Sequence, residues 1–255
     1  MHYSSILPDV LKIADAASEK VLSIYMTDFK VDFKADKSPI TAADVASHRV
    51  IVEGLRNLSH DIPVLSEEGA EIPWSERKQW RRFWLIDPID GTKDFTQRTG
   101  EFTVNIALIE NGEPILGVVT APALKEAYWG LKGEGAYKRD RTGRTRRISV
   151  VEPGDAKRVV ASKNHLNEET KAFIDKLGAH ELVQAGSSLK FCKIAEGHAD
   201  IYPRLGLTCE WDTGAAHAVL SAAGGKVETL EGKPLQYGKE DVLNPYFIAA
   251  GNWYK

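Results

Sequence analysis

The segment Trp84-Leu85-Ile86-Asp87-Pro88-Ile89-Asp90-Gly91-Thr92 limits what this chain can fold into more than any other. It reads as a short apolar strand over 83–86 that runs into a pair of aspartates and a tight Gly-Thr turn. Carboxylates are hard oxygen ligands, so a pair held this close suits Mg²⁺ better than Zn²⁺. A turn with free backbone N–H groups beside such an ion suits a phosphate.

The flanking patterns supply partners for that strand. Leu7, Val10, Leu11, Ala14, Ala17, Val21, Ile24 and Tyr25 recur at helical spacing and predict an amphipathic helix packed on a sheet. A second helix is expected from Ser38-Pro39-Ile40-Thr41, with Val45, Val52 and Leu55 on one face. Residues 62–66 predict a short strand entering Glu67-Glu68-Gly69, and 71–82 a loop or short helix. Residues 103–109 alternate and are β-branched, Asn111-Gly112 is a hairpin signal, and 114–120 is the returning strand. Tyr128-Trp129 and Ala136-Tyr137 flank a turn over 130–135, whose glycines do not fit a dinucleotide fingerprint between strand and helix. An antiparallel meander results.

After Pro153-Gly154 the pattern changes to alternating strands and helices. Strands are expected at 158–162, 199–202 and 247–250. Helices are expected at 168–177, 188–196 and 213–223, the last rich in small residues and stopped by Gly224-Gly225. The division falls into 1–153 and 154–255, neither half able to bury its core alone.

The chain has 255 residues, 43% hydrophobic and 27% charged, enough for one large domain or two intimately packed ones. A net charge of -3 argues against a general nucleic-acid binder. The basic run over 138–147 is read as a solvated hairpin tip bending at Thr142-Gly143. Cys192 and Cys209 make no disulfide framework, which points to a reducing cytosol. The N-terminus does not read as a signal peptide, and no apolar run approaches the roughly 18 residues that span a bilayer. A cytoplasmic protein is expected, with peripheral contact at the inner face of the cell membrane left open.

Further acids can join the aspartate pair. Glu67 follows one strand, Asp87 and Asp90 follow another, and Asp212 opens a helix after Glu210-Trp211. Acids at strand ends and helix starts can converge in one cleft, and the Ile89 carbonyl would face the same ion. This oxygen-only set is compatible with two or three Mg²⁺ ions. Each acid also has a structural reading: Glu67 as a solvated acid, Asp87 as a turn residue before proline, Asp212 as a helix N-cap. Asp44 has two readings as well. Thr41-x-x-Asp44 is a capping-box pattern. Alternatively Asp44 pairs with the Thr92 hydroxyl and takes up a proton from a water that Thr92 aligns.

Leu85-Ile86-Asp87-Pro88-Ile89-Asp90-Gly91-Thr92 resembles the first signature of the lithium-sensitive inositol monophosphatase superfamily, and Trp211-Asp212-Thr213-Gly214-Ala215-Ala216 its second. Pro63-Val64-Leu65-Ser66-Glu67-Glu68, Gly100-Glu101-Phe102-Thr103-Val104-Asn105-Ile106-Ala107, Gly186-Ser187-Ser188-Leu189-Lys190-Phe191-Cys192 and Asp200-Ile201-Tyr202-Pro203-Arg204 are similar to its 3'(2'),5'-bisphosphate nucleotidase branch. The resemblance implies an α+β layered sandwich (α-β-α-β-α), the inositol monophosphatase-like sugar phosphatase fold. It implies one Mg²⁺ at Glu67, Asp87 and the Ile89 carbonyl, and a second at Asp87, Asp90 and Asp212. It makes Asp44 the partner of Thr92.

The substrate it implies is adenosine 3',5'-bisphosphate or its sulfated precursor. Hydrolysis of the 3'-phosphate would yield AMP or its sulfated counterpart, in sulfate assimilation, with inhibition by Li⁺. No Cys, His or Ser lies within the acidic motif to act as nucleophile, so attack is by water, with Glu67, Asp44 and Thr92 in the catalytic set. Gly91, Thr92 and Asp212 are expected at the reacting group. Ser187, Lys190 and Arg204 are expected at the 5'-phosphate or ribose, and His165 at the base or sugar. The expected partner is this small molecule, not a nucleic acid, with the protein a monomer or homodimer. The rival readings are an inositol or histidinol monophosphatase, a catalytically silent nucleotide or metal sensor, and a nucleic-acid binder using 138–147.

Overall fold

The computed structural model describes residues 3–33, 39–69, 71–161 and 167–254. In chain order the first part runs α1 (Tyr3–Tyr25), β1 (Val31–Phe33), β2 (Pro39–Thr41), α2 (Ala42–Leu58), β3 (Val64–Ser66), α3 (Trp74–Arg77), β4 (Arg82–Asp90) and α4 (Thr92–Thr96). The meander follows as β5 (Thr103–Glu110), β6 (Glu113–Ala121), β7 (Glu126–Leu131), β8 (Gly135–Arg139) and β9 (Thr145–Ile148). The rest is β10 (Lys157–Ala161), α5 (Glu168–Lys176), β11 (His180–Gln184), α6 (Leu189–Ala195), β12 (Ile201–Arg204), α7 (Glu210–Ala222), β13 (Gly225–Thr229) and β14 (Phe247–Gly251).

A seven-stranded sheet, β3-β4-β5-β6-β7-β8-β9, and a five-stranded sheet, β11-β10-β12-β14-β13, enclose α6 and α7. The buried faces of α1 and α2 cover the outer side of the larger sheet, and α5 covers the outer side of the smaller one. The layers are therefore α-β-α-β-α, as the resemblance implied. Strand β4 is buried on both faces. Phe83 and Leu85 pack towards α7, whereas Trp84 and Ile86 pack towards α1 and α2. This explains an apolar run without polar alternation. Among the described residues no helix is long and apolar enough to cross a membrane.

Several expectations change. Helix α2 starts at Ala42, because Pro39 to Thr41 are extended and pair with β1. Strand β4 does not end at Ile86 but continues to Asp90. The turn over 130–135 is shorter, since Gly130 and Gly135 belong to β7 and β8. Strands β1, β11 and β13 had no counterpart in the sequence reading, and Ser162 lies outside the described residues. The basic run does form a hairpin. Lys138 bonds Glu126 and Glu196, each at 2.9 Å, Arg146 reaches Glu196 at 3.3 Å, and Arg139 pairs with Asp15. Those cations are already matched by acids of the same chain.

A row of small residues seats α7. Leu85 pairs across to Ala107, Ala107 to Gly117, Gly117 to Gly130 and Gly130 to Ala136. A Cβ on Gly117 would stand 2.1 Å from the Ala215 carbonyl oxygen, and one on Gly130 would stand 2.8 Å from Val219 Cα. The helix backbone lies directly on the sheet at these points, which only glycine permits. Gly214, Ala215, Ala216 and Ala218 are the matching small residues on α7. This seat carries the helix start, with Asp212, to the end of β4.

Candidate active site

The aspartates of β4 are three positions apart, which in a regular strand would send them to opposite faces. The register prevents this. Asp87 pairs with Asn105 and Asp90 with Thr103, so β4 spends one residue more than β5 over this stretch. Such a bulge returns Asp90 to the face of Asp87, and it accommodates Pro88, which has no N–H for the ladder. The Ser47 hydroxyl of α2 donates to the Pro88 carbonyl at 2.9 Å, and Ile89 N–H donates to Asp87 Oδ1 at 3.0 Å.

Asp212 completes the group. It sits at the third position of α7, where its Oδ2 accepts from Cys209 N–H at 2.8 Å; Cys209, not Asp212, is the N-cap residue. Carboxylate oxygens of Asp87, Asp90 and Asp212 lie within 4.8 Å of one another. Glu67, at the start of a single 3₁₀ turn after β3, is close enough for its charge to act on the Asp87 carboxyl.

Burial and mutual repulsion push these acids up. Asp87 stands well above the usual carboxylate range through burial and the charges of Glu67, Asp90 and Asp212. Burial raises Asp90 to about 6 against the opposing charge of Lys190. Burial and the charge of Asp90 raise Asp212 to about 8, opposed by its Cys209 hydrogen bond and by Arg204. Acids this close are held by shared protons or by a cation. An all-oxygen donor set fits a hard divalent ion, so the residues present suit Mg²⁺.

The partners of both readings of Asp44, Thr41 and Thr92, lie beside it, at different oxygens. Oδ2 accepts from Thr41 N–H and from the Thr41 hydroxyl, each at 2.7 Å, closing the capping box of α2. Oδ1 lies 3.4 Å from the Thr92 hydroxyl, which is also 3.3 Å from the Ile89 carbonyl. Burial raises the Asp44 carboxyl above its ordinary value. Gly91 precedes α4 with a φ of 86°, a left-handed conformation that favours glycine.

Residues from the second half close the site. Asp90, Asp212, Ser187, Lys190, Arg204 and Thr213 line a pocket of about 90 Å³ floored by Phe191, Tyr202 and Phe247. Lys190 Nζ donates to the Ser187 carbonyl at 2.8 Å and lies over the Tyr202 ring. Arg204 donates to the Leu207 carbonyl at 2.9 Å, while its buried Nε has no partner among the described residues. Ser187, expected at the 5'-phosphate or ribose, has its hydroxyl 2.9 Å from the Asp90 carbonyl and 2.8 Å from that of Glu101. His165 lies outside the described residues. Sequence reasoning passed over Thr103, Asn105 and Ser188, which are buried beside Asp90. Their signal was the polar residues at alternate positions 103 and 105 in an otherwise apolar strand.

The chain belongs to the inositol monophosphatase family, whose model matches residues 4–254. It is similar to the 3'(2'),5'-bisphosphate nucleotidase CysQ of Escherichia coli strain K12, at 48% identity over 244 residues, 94% of this chain and 98% of that protein. Among solved structures it resembles CysQ from Bacteroides thetaiotaomicron, at 42% identity and a TM-score of 0.88, covering 98% of each chain. It also resembles an inositol monophosphatase from Anabaena, at 25% identity and a TM-score of 0.78, covering 98% of this chain and 92% of that one.

Proposed function

We propose that this chain is a Mg²⁺-dependent 3'(2'),5'-bisphosphate nucleotidase that removes the 3'-phosphate of adenosine 3',5'-bisphosphate. It would give AMP and phosphate, act on the sulfated precursor as well, serve sulfate assimilation and be inhibited by Li⁺. One observation carries the reading: Asp90 and Asp212 share a pocket with Lys190 and Arg204. Acids suited to a cation thus adjoin cations suited to a second anionic group. The 48% identity to a curated bisphosphate nucleotidase supports the same substrate class.

Glu67, Asp87 and the Ile89 carbonyl would hold one ion, and Asp87, Asp90 and Asp212 another. Bound Mg²⁺ would supply Lewis acidity towards the attacking water and the leaving 3'-oxygen. Thr92 aligns the water through its hydroxyl and passes the proton to Asp44 Oδ1, whose raised affinity for protons suits a base. Backbone N–H groups of Gly91 and Thr92 bind the phosphate undergoing attack. Lys190 and Arg204 bind the 5'-phosphate, and Ser187 supports the loop that carries Asp90. The boundary near residue 153 then divides labour: the first half supplies the acids other than Asp212, and the second supplies Asp212 and the nucleotide contacts.

A monophosphate would leave the Lys190–Arg204 pocket unused, which separates this reading from inositol monophosphatase. Phosphate release from adenosine 3',5'-bisphosphate and from inositol 1-phosphate, with and without Mg²⁺ and with millimolar Li⁺, tests it. Preference for the bisphosphate, dependence on Mg²⁺ and inhibition by Li⁺ are expected. Faster turnover of inositol 1-phosphate, or nucleotide binding without turnover, would overturn it.

A further inference from the structure

Behind Asp90, away from the pocket, a chain of neutral polar groups joins the two halves of the protein. The Thr103 hydroxyl lies 3.5 Å from Asp90 Oδ2 and 2.8 Å from the Ser188 hydroxyl. The Ser188 hydroxyl donates to Asn105 Oδ1 at 2.9 Å, so the Thr103 proton goes to Ser188 and Thr103 meets Asp90 only in contact, while the Ser188 backbone N–H and the Asn105 side chain favour the ionised Asp90 carboxylate. All three side chains are buried, Thr103 at 0%, Asn105 at 1% and Ser188 at 2% exposure. Asn105 is the register partner of Asp87, and its buried Nδ2 acts on the Asp90 carboxylate without closing to hydrogen-bonding geometry with it.

We infer that Thr103, Asn105 and Ser188 are positioning residues that hold the Asp90 carboxylate in the orientation its cation requires. The Ser188 hydroxyl fixes which way the Asn105 amide faces, because it occupies Oδ1 and leaves the donor end towards the acids. A hydrogen-bonded carboxylate has fewer orientations, so a ligand loses less freedom on binding an ion. Ser188 starts α6 in the second half, so the link also makes the geometry of Asp90 depend on how that helix is seated.

The inference rests on the cation reading above, and its test separates the two. Mg²⁺ binding to protein stripped with EDTA is measured by calorimetry for the wild type, Ser188→Ala, Thr103→Val and Thr103→Ser, alongside kcat, KM and the melting temperature. Thr103→Val keeps the shape and removes the hydroxyl, whereas Thr103→Ser keeps the hydroxyl. Ser188→Ala and Thr103→Val are expected to bind Mg²⁺ about 10–100-fold more weakly. Their kcat at subsaturating Mg²⁺ should fall with little change in nucleotide KM, and Thr103→Ser should stay within about threefold of wild type. If folded Thr103→Val binds Mg²⁺ as tightly as wild type, the positioning role is wrong. If the wild type itself binds no Mg²⁺, the cation reading fails first. Should Ser188→Ala not fold, the Val and Ser variants at Thr103 decide the matter.

Discussion

The hydroxyl oxygen of Ser187 lies 2.0 Å from the point that a Cβ on Gly91 would occupy. The turn after the aspartates and the turn before α6 are thus fitted to each other at atomic contact, across nearly a hundred positions of sequence. Gly91→Ala adds both this clash and a strained backbone at a φ of 86°. We expect it to lower the melting temperature and to reduce turnover sharply. Gly91→Ala combined with Ser187→Gly removes the clash and leaves the strain, so part of the loss should return. Melting curves and initial rates of the singles and the double would show non-additivity; additive losses would mean the contact is not felt.

The cations of the pocket should separate in kinetics. Arg204 has a buried Nε free for an anion, whereas Lys190 also bonds the Ser187 carbonyl and opposes the rise of the Asp90 carboxyl. Arg204→Met is expected to raise KM for the bisphosphate about tenfold or more and to spare simple monoesters. Lys190→Met should lower kcat for both classes as well, because Asp90 loses its neighbouring charge. Steady-state constants on paired substrates check this; monoester turnover unchanged in Lys190→Met would refute the second role.

Stability without metal should depend on pH in a direction set by Asp212. Its carboxyl stands at about 8 in the fold against an ordinary value of 3.8. A raised value means the folded state binds the proton more tightly, so the contribution is full below pH 4 and disappears as pH climbs through 8. The protein in EDTA is therefore expected to melt lower at pH 8.5 than at pH 6, and Mg²⁺ should raise the melting point more at the higher pH. Asp212→Asn should raise the melting temperature in EDTA at pH 8.5, by roughly 2–4 °C for each kcal/mol recovered, while turnover falls by orders of magnitude. A melting point that Asp212→Asn leaves unchanged would contradict the repulsion described.

The seat of α7 admits a direct test. A methyl group at Gly117 would meet the Ala215 carbonyl, whereas one at Gly154 meets nothing within 4 Å. Gly117→Ala is expected to cost about 1–3 kcal/mol and to lower kcat by displacing Asp212, with Gly154→Ala near wild type in both. Urea midpoints and initial rates compare them; a silent Gly117→Ala would show that the helix can slide.

Much of this was legible beforehand because chemistry and periodicity coincide in the strongest segments. The meander from Thr103 onwards, the amphipathic α1 and the acids Glu67, Asp87, Asp90 and Asp212 each carry a local signature. Strands β1, β11 and β13 do not: they span three to five residues, bury only Val227 among them, and are recruited by pairing, not by pattern. Gly130 read as a turn residue because its role, admitting a helix, appears only when that helix is in place. Ser187 read as a contact of the 5'-phosphate or ribose from its place at a helix start, and spacing could not show that its hydroxyl also meets the carbonyls of Asp90 and Glu101. Asp44 needed the structure for another reason: one carboxylate oxygen closes the capping box while the other faces Thr92, so the two geometries are not exclusive.

The extra residue between Asp87 and Asp90 has a consequence for how this site can change. Replacing Pro88 or Ile89 alters contacts, whereas removing either would leave the aspartates two positions apart on a regular strand, still on one face but without the bulge between them. What the extra residue contributes is the local bend and twist of a bulge, not the choice of face. A deletion there would keep both acids on one side of the sheet, and any activity it cost would be traced to the lost bend and to the Ile89 carbonyl that the bulge places beside Thr92.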